Sequence, residues 1–462
     1  MERLSSLDAG FLHLENDRQQ MHVGSLLLFE GPTPSFAAFT AHLSSCLDKV
    51  PRYRQQVRRT PVDLGRPVWV DDPHFELSYH LRHTAIPSPG GDAQLKALIG
   101  RVMSQRLDVD RPLWELWLVE GLPDDRWAVI TKTHHAMVDG LAGNELMEIV
   151  LSRDPESVPA EPRDWSPEPQ PSNWQLASSG LAGLAHIPMD LTKSVVSTAK
   201  GAASSKDGAR GALARVFGLA SVGPTMARPT SVLNGPLGPH RRWDWARASL
   251  DDIKRAKNAF GCTVNDVVLA GISGGLRTYL QSRGEDVDAA TIRSLVPVSI
   301  RTPDHKGRLG NQVTGLFADL PVDCADPVER VDAVTRQMNT LKQSGQAVGV
   351  DAMLSAADFV PPTLMTLGAR VYVMTGQRVV NIVTTNIPGP QYPLYLLGCR
   401  MLEMFPYIPI GQDVRISIGI VSYDGQLAIG ATGDYDAVPD LDVLCRAIED
   451  SLAEIVHLAD EA

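Results

Sequence analysis

The chemistry this chain could do concentrates in His134-His135-Ala136-Met137-Val138-Asp139-Gly140, which follows the strand-like run WAVITKT and precedes the helical pattern LAGNELMEIV. Neighbouring side chains at a strand end point to opposite faces, so only one of the two histidines can face a given cavity. A neutral imidazole there, with an ordinary pKa near ~6.5, can take a proton from an alcohol at physiological pH. Asp139 would hold the turn and Gly140 would permit a tight backbone. The plainer reading is two structural histidines at a turn. Metal is a weaker rival, because no second cluster of His or Cys stands out to complete a site, and none is expected. No Gly-x-Ser-x-Gly elbow, phosphate-binding loop or Gly-x-Gly-x-x-Gly follows a predicted strand. That pattern favours direct transfer from an activated donor such as a thioester, with no covalent acyl-enzyme.

The elements that must position these residues follow a β-then-α rhythm. MHVGSLLLFE (21–30) reads as a buried strand, and Phe36, Phe39, Leu43 and Leu47 fall at helical spacing. An extended stretch over 75–81, a helix over 92–107, and strands over 113–122 and 127–133 joined by a turn at Pro123–Asp125 come next. From 153 to 240 the chain is rich first in Pro, then in Ala, Gly and Ser, which marks an interdomain crossover. Past it, 243–250 and 292–300 read as strands, as do 379–387 and 414–423, with helices over 251–259, 264–279 and 441–458. The expected organisation is α/β: domains at 1–152 and 241–462 joined by the 153–240 crossover.

Length and charge agree with that division. The 462 residues exceed one ordinary core, and a net charge of −11 has the wrong sign for a nucleic-acid partner. Five scattered cysteines argue against a disulfide framework. The start lacks a secretory apolar stretch and no run reaches the ~20 apolar residues of a membrane span, so a cytoplasmic location is expected. The basic cluster Lys49, Arg52, Arg54, Arg58, Arg59 and Arg66 reads by default as a solvated face, with anionic headgroups or CoA phosphates as the functional alternative.

HHAMVDG matches the His-His-x-x-x-Asp-Gly motif of acyl-CoA-dependent acyltransferases with a chloramphenicol-acetyltransferase-like fold. The chain resembles, almost end to end, the bacterial wax ester synthase/diacylglycerol acyltransferase family, and within it the actinobacterial triacylglycerol synthases. SSLDAGFLHLE (5–15), PVWVDDPHFELSYHLR (67–82), RPLWELWLVEGL (111–122), TVNDVVLAGISGGLR (263–277), LVPVSIR (295–301), LGNQV (309–313), TTNIPGP (384–390) and SYDGQL (422–427) carry the likeness.

The resemblance implies two chloramphenicol-acetyltransferase-like domains with an active-site tunnel at their interface. His135 would be the general base, His134 a support, and Asp139 an orienting group paired with an arginine, for which Arg301 is the candidate. Asn265 and Asp266 match a family motif, although both are common helix-start residues. Pro112, Leu113 and Trp114 match another, although a Pro-opened strand with a core aromatic explains them as well. The implied reaction moves a long-chain acyl group from acyl-CoA, a substrate and not a cofactor, to diacylglycerol. A fatty alcohol as acceptor, carrier-protein-dependent transfer, and a catalytically silent lipid-binding protein are the alternatives. Peripheral contact with a membrane or a lipid droplet would serve such substrates.

Overall fold

The computed structural model describes residues 2–61, 65–137, 147, 149–157, 164–178, 230–288, 290–299, 313–343, 380–411 and 413–461. The first half opens with β1 (Glu2–Arg3) and α1 (Ser6–Leu14), whose start is fixed by the Ser5 hydroxyl accepting from the Asp8 N–H. Strand β2 (His22–Glu30) leads to α2 (Phe36–Cys46), which buries Phe39 and Leu43 of the predicted apolar stripe. β3 (Gln55–Arg58) and β4 (Val68–Asp71) join β1 in a small sheet. After α3 (Leu77–His80), β5 (Leu81–Ala85) and α4 (Asp92–Ser104) comes a hairpin of β6 (Trp114–Leu122) and β7 (Arg126–His134). In its turn Asp124 and Asp125 take φ of 60° and 50°, which suits the right-handed twist of the strands.

The second half contains β8 (Arg241–Ser249), α5 (Leu250–Ala259), α6 (Val264–Ser282), β9 (Ile292–Ser299), β10 (Val313–Leu320) and α7 (Pro327–Gln343). It continues with β11 (Ile382–Pro388), β12 (Tyr395–Leu396), β13 (Cys399–Tyr407), β14 (Ile416–Tyr423), β15 (Gln426–Asp434) and α8 (Leu441–Glu461). Its sheet runs β10-β9-β11-β14-β15-β8, covered by α6 packed on α8. β14 is buried along its whole length, as a β-branched central strand should be. β11 runs parallel to β9 for only two residue pairs, Ile382 with Ser294 and Val383 with Leu295.

The histidine-bearing sheet runs β12-β13-β2-β7-β6-β5, so strands from beyond residue 395 complete it. Phe405 lies opposite Leu26 and Tyr407 opposite Gly24, and one apolar core takes in Phe29, Trp127, Trp243, Trp245 and Phe405. The two sheets meet where β13 crosses β15. A Cβ on Gly430 would stand 1.8 Å from the Pro406 carbonyl oxygen, which also accepts from Trp243 Nε1 at 3.2 Å. Gly430→Ala is therefore expected to cost about 1–3 kcal/mol, the range for overpacking. A thermal midpoint equal to that of the parent would contradict this close approach.

Two expectations change. Residues 77–80, expected to be extended, form a helical turn because the Glu76 carboxylate accepts from the Ser78 N–H, and the turn carries the His80 ring between Phe75 and Trp114. The basic cluster is only partly a solvated face. Arg52 is buried over the Trp69 ring and paired with Glu2, and Arg54 is buried over Trp165 and paired with Asp48. Arg58 donates to Gln170 and Asn173 of the crossover. That part of the crossover lies on the small sheet, with Leu176 packed on Val68 and Val70. Among the described residues no single helix is long and apolar enough to cross a membrane.

Candidate active site at the end of β7

His134 closes β7, and His135, Ala136 and Met137 turn away from it. The strand end is clamped from both sides by backbone: the His134 N–H donates to the Leu113 carbonyl at 2.9 Å and the His135 N–H to the Met21 carbonyl at 2.8 Å. Met137 N–H donates back to the His134 carbonyl at 2.9 Å, and the Ala136 N–H to His134 Nδ1 at 3.0 Å. The two side chains are divided between environments. His134 is fully buried, whereas His135 is half-buried, its ring stacked on Phe11 at 4.2 Å between centroids and 17° between planes.

Behind the turn is a buried polar group that sequence reasoning missed. Glu15 caps the C-terminal end of α1, and its Oε1 lies 3.2 Å from His22 Nε2 and 3.8 Å from His134 Nε2. Arg106 Nη2 lies 3.3 Å from Glu15 Oε2. Burial pushes the Glu15 carboxyl up, but the contacts with His22, His134 and Arg106 outweigh it and bring its pKa down to about 2. Burial lowers His134 to about 3 and also lowers His22, so both rings are neutral. Lys132 Nζ donates to the Gln105 carbonyl at 2.7 Å, and burial brings it down to about 8. A signal for Glu15 and Phe11 existed, since they stand four apart in SSLDAGFLHLE and so share a helix face.

The neutral histidines have a stability consequence whose sign is fixed. A histidine with a lowered native pKa binds fewer protons folded than unfolded, so its contribution is present above about pH 6.5 and is lost as pH falls. For His134 that loss runs downward in pH from about 6.5 toward its native value of about 3. His22 and His80, both lowered first by burial, add in the same direction. Urea unfolding at pH 7.5 and 5.5 should give lower stability at 5.5, with a shallower slope in His134→Gln. Equal stability at both values would contradict neutral burial.

The other sequence-predicted residues fall into three groups. Pro112, Leu113 and Trp114 are brought to the histidines: Leu113 supplies the carbonyl that holds His134, and Trp114 is buried with its Nε1 donating to the Tyr53 carbonyl at 2.8 Å. His80 stacks on Trp114 at 4.6 Å and donates from Nδ1 to its carbonyl at 2.9 Å. Asn265 and Asp266 sit in the other half, at the start of α6. Asp266 completes a capping box with Thr263, its Oδ2 accepting from the Thr263 N–H at 3.0 Å and hydroxyl at 2.7 Å. Asn265 Oδ1 accepts from Asn386 Nδ2 at 3.2 Å, which links two of the sequence motifs. Asp139, Gly140 and Arg301 lie outside the described residues.

The end of β7 thus sets a fully buried histidine beside a half-buried one, and only the second could reach a ligand. Comparison with known proteins identifies the family. A family profile described as "Wax ester synthase/diacylglycerol acyltransferase catalytic domain" matches residues 4–268, and "WS/DGAT C-terminal domain" matches 309–456. The chain is 35% identical over 461 residues to the Mycobacterium tuberculosis "Probable diacyglycerol O-acyltransferase tgs1", covering 99% of this chain and 96% of that one. It is 34% identical to "Probable diacyglycerol O-acyltransferase tgs2" of the same species, covering 98% and 99%. Among solved structures, the wax ester synthase/diacylglycerol acyltransferase from Marinobacter aquaeolei VT8 superposes with a TM-score of 0.72 at 27% identity over the whole of both chains. The first condensation domain of the calcium-dependent antibiotic synthetase, at 18% identity, shares the fold with a TM-score of 0.61 over 98% of this chain and 96% of that one.

Proposed function

Because this chain belongs to the bacterial wax ester synthase/diacylglycerol acyltransferase family, an acyl-CoA-dependent O-acyltransferase family, we propose that it moves a long-chain acyl group from CoA to the free hydroxyl of diacylglycerol, with His135 as the general base. The single observation that carries the assignment to His135 is the contrast at the end of β7. His134 is sealed in the interior, while His135 is half-buried with its ring held flat against Phe11.

In this reading a His135 ring nitrogen takes the acceptor's hydroxyl proton as the oxygen attacks the thioester carbonyl carbon. The resulting oxyanion collapses, the carbon–sulfur bond breaks, and the CoA thiolate recovers the proton from the imidazolium. General-base assistance of this kind supplies about 10²- to 10⁴-fold, and positioning supplies more. Leu113 and Trp114 support the turn from behind, with Pro112 leading into β6. Asp139 would orient the turn through Arg301, with Gly140 giving it room, and Asn265 with Asp266 would shape the opposite wall of a tunnel between the halves. The protein would work in the cytoplasm, binding reversibly to the membrane or lipid inclusions that hold its acceptor.

The test is CoA-thiol release from palmitoyl-CoA by purified protein with diacylglycerol, with hexadecanol, or with no acceptor. Faster release with diacylglycerol supports the proposal. Faster release with hexadecanol would assign wax ester synthesis, the second reading, which the name of the Marinobacter relative gives beside diacylglycerol acylation. Silence under all three conditions would favour a lipid-binding protein of the same fold.

A further inference from the structure

We propose that Glu15 is a positioning residue: its carboxylate, at the end of α1, holds His134 in the tautomer protonated on Nε2 and thereby fixes the turn that presents His135. The inference rests on the proposed role of His135 and adds a residue to it.

The argument begins with a proton count. The Ala136 N–H donates to His134 Nδ1 at 3.0 Å, so that nitrogen carries no hydrogen, and a neutral ring must carry its proton on Nε2. Nε2 lies 3.8 Å from Glu15 Oε1, beyond hydrogen-bond length but close for a charge acting on an N–H dipole in a dry interior. The His134 and His22 side chains are 0% exposed and that of Glu15 is 2% exposed, so water does not screen the contact. His22 stands directly opposite His134 in the β2–β7 register and meets the same carboxylate oxygen at 3.2 Å. Arg106 supplies the countercharge that lets a carboxylate stay ionised there.

Two groups favour the Nε2 proton, the Ala136 N–H at Nδ1 and the Glu15 carboxylate beside Nε2, and removing the carboxylate leaves the Ala136 N–H alone to hold it. If the proton moved to Nδ1, two N–H groups, those of His134 Nδ1 and Ala136, would face each other across 3.0 Å, and the turn would have to open. That turn carries His135. Phe11, four residues before Glu15, lies on the same helical face and stacks on the His135 ring, so one face of α1 touches both histidines.

The experiment labels the full-length protein with 15N-histidine and reads each imidazole's protonation by two-bond nitrogen–proton correlation at pH 7.5, His134→Gln identifying the His134 signals. Wild type is expected to show His134 protonated on Nε2 alone. Glu15→Met, which keeps the volume and removes the acceptor, is expected to gain the Nδ1 tautomer. It should also lose about 10²-fold in kcat for CoA release, the scale of a misplaced catalytic group, with KM for palmitoyl-CoA little changed. Glu15→Gln, which keeps a carbonyl dipole but removes the charge, should fall between the parent and Glu15→Met in both the Nδ1 tautomer and kcat. A wild-type His134 protonated on Nδ1, or a folded Glu15→Met with parental kcat, would overturn the proposal. Should Glu15→Met not fold, the wild-type tautomer and Glu15→Gln decide it. A wild type that releases no CoA with any acceptor would refute the acyl-transfer reading, and the tautomer signals would still judge Glu15.

Discussion

His135→Ala is expected to lower acceptor-dependent CoA release by about 10²- to 10⁴-fold, the contribution of a positioned general base, while the protein stays folded. The structure explains why the fold should survive. His135 is half-buried, and its backbone N–H, which donates to the Met21 carbonyl, is kept by alanine. What is lost is the imidazole and its stack on Phe11. The expected signature is a fall in kcat with a thermal midpoint near that of the parent. Activity within a few-fold of wild type in a folded His135→Ala protein would remove His135 from the mechanism.

Trp114→Ala is expected to cost about 3–5 kcal/mol, the range for deleting a buried tryptophan. Three contacts go at once: the Nε1 hydrogen bond to the Tyr53 carbonyl, the stack on His80, and a tilted contact with the Tyr53 ring at 4.9 Å. The damage should reach the reaction, because neighbouring Leu113 supplies the carbonyl that holds His134. Trp114→Phe restores much of the ring area but leaves the Tyr53 carbonyl without its donor, a loss of about 1–3 kcal/mol. Urea unfolding should rank wild type above Trp114→Phe above Trp114→Ala; equal stability of all three would mean that the tryptophan is not a keystone of this core.

The legible parts of the sequence were those with a local cause. The β6–β7 hairpin showed in alternating aromatic and branched residues around Pro123–Asp125, and α5, α6 and α8 showed in their apolar spacing. The family showed in motifs spread along the chain, and the profile matches bear it out. Less local features were harder to see. Strand β13, CRMLEMFPY, lacks β-branched residues and contains a proline, so propensity speaks against it. It is a strand because β2 offers it an edge and Trp245 offers Phe405 a stacking partner. Strand β15 is rich in Ala and Gly because the sheets abut at Gly430, a requirement of packing that leaves no local pattern. At the candidate site the twin histidines were legible by motif. The carboxylate behind them was not, because its importance comes from the register that sets His22 opposite His134.

The seat of β13 in the first sheet also bears on how the protein is made. Phe29 on β2 pairs with Met401, about 370 residues further along the chain. At roughly 5–20 residues per second, a ribosome leaves that edge of β2 uncovered for roughly 20 to 75 s after β2 emerges. During that wait LLLF is an apolar ribbon with free backbone donors and acceptors, the kind of edge that recruits other strands. Folding of the histidine-bearing half is thus tied to completion of synthesis, and a nascent chain stalled before residue 399 should be a substrate for chaperones rather than a half-built enzyme.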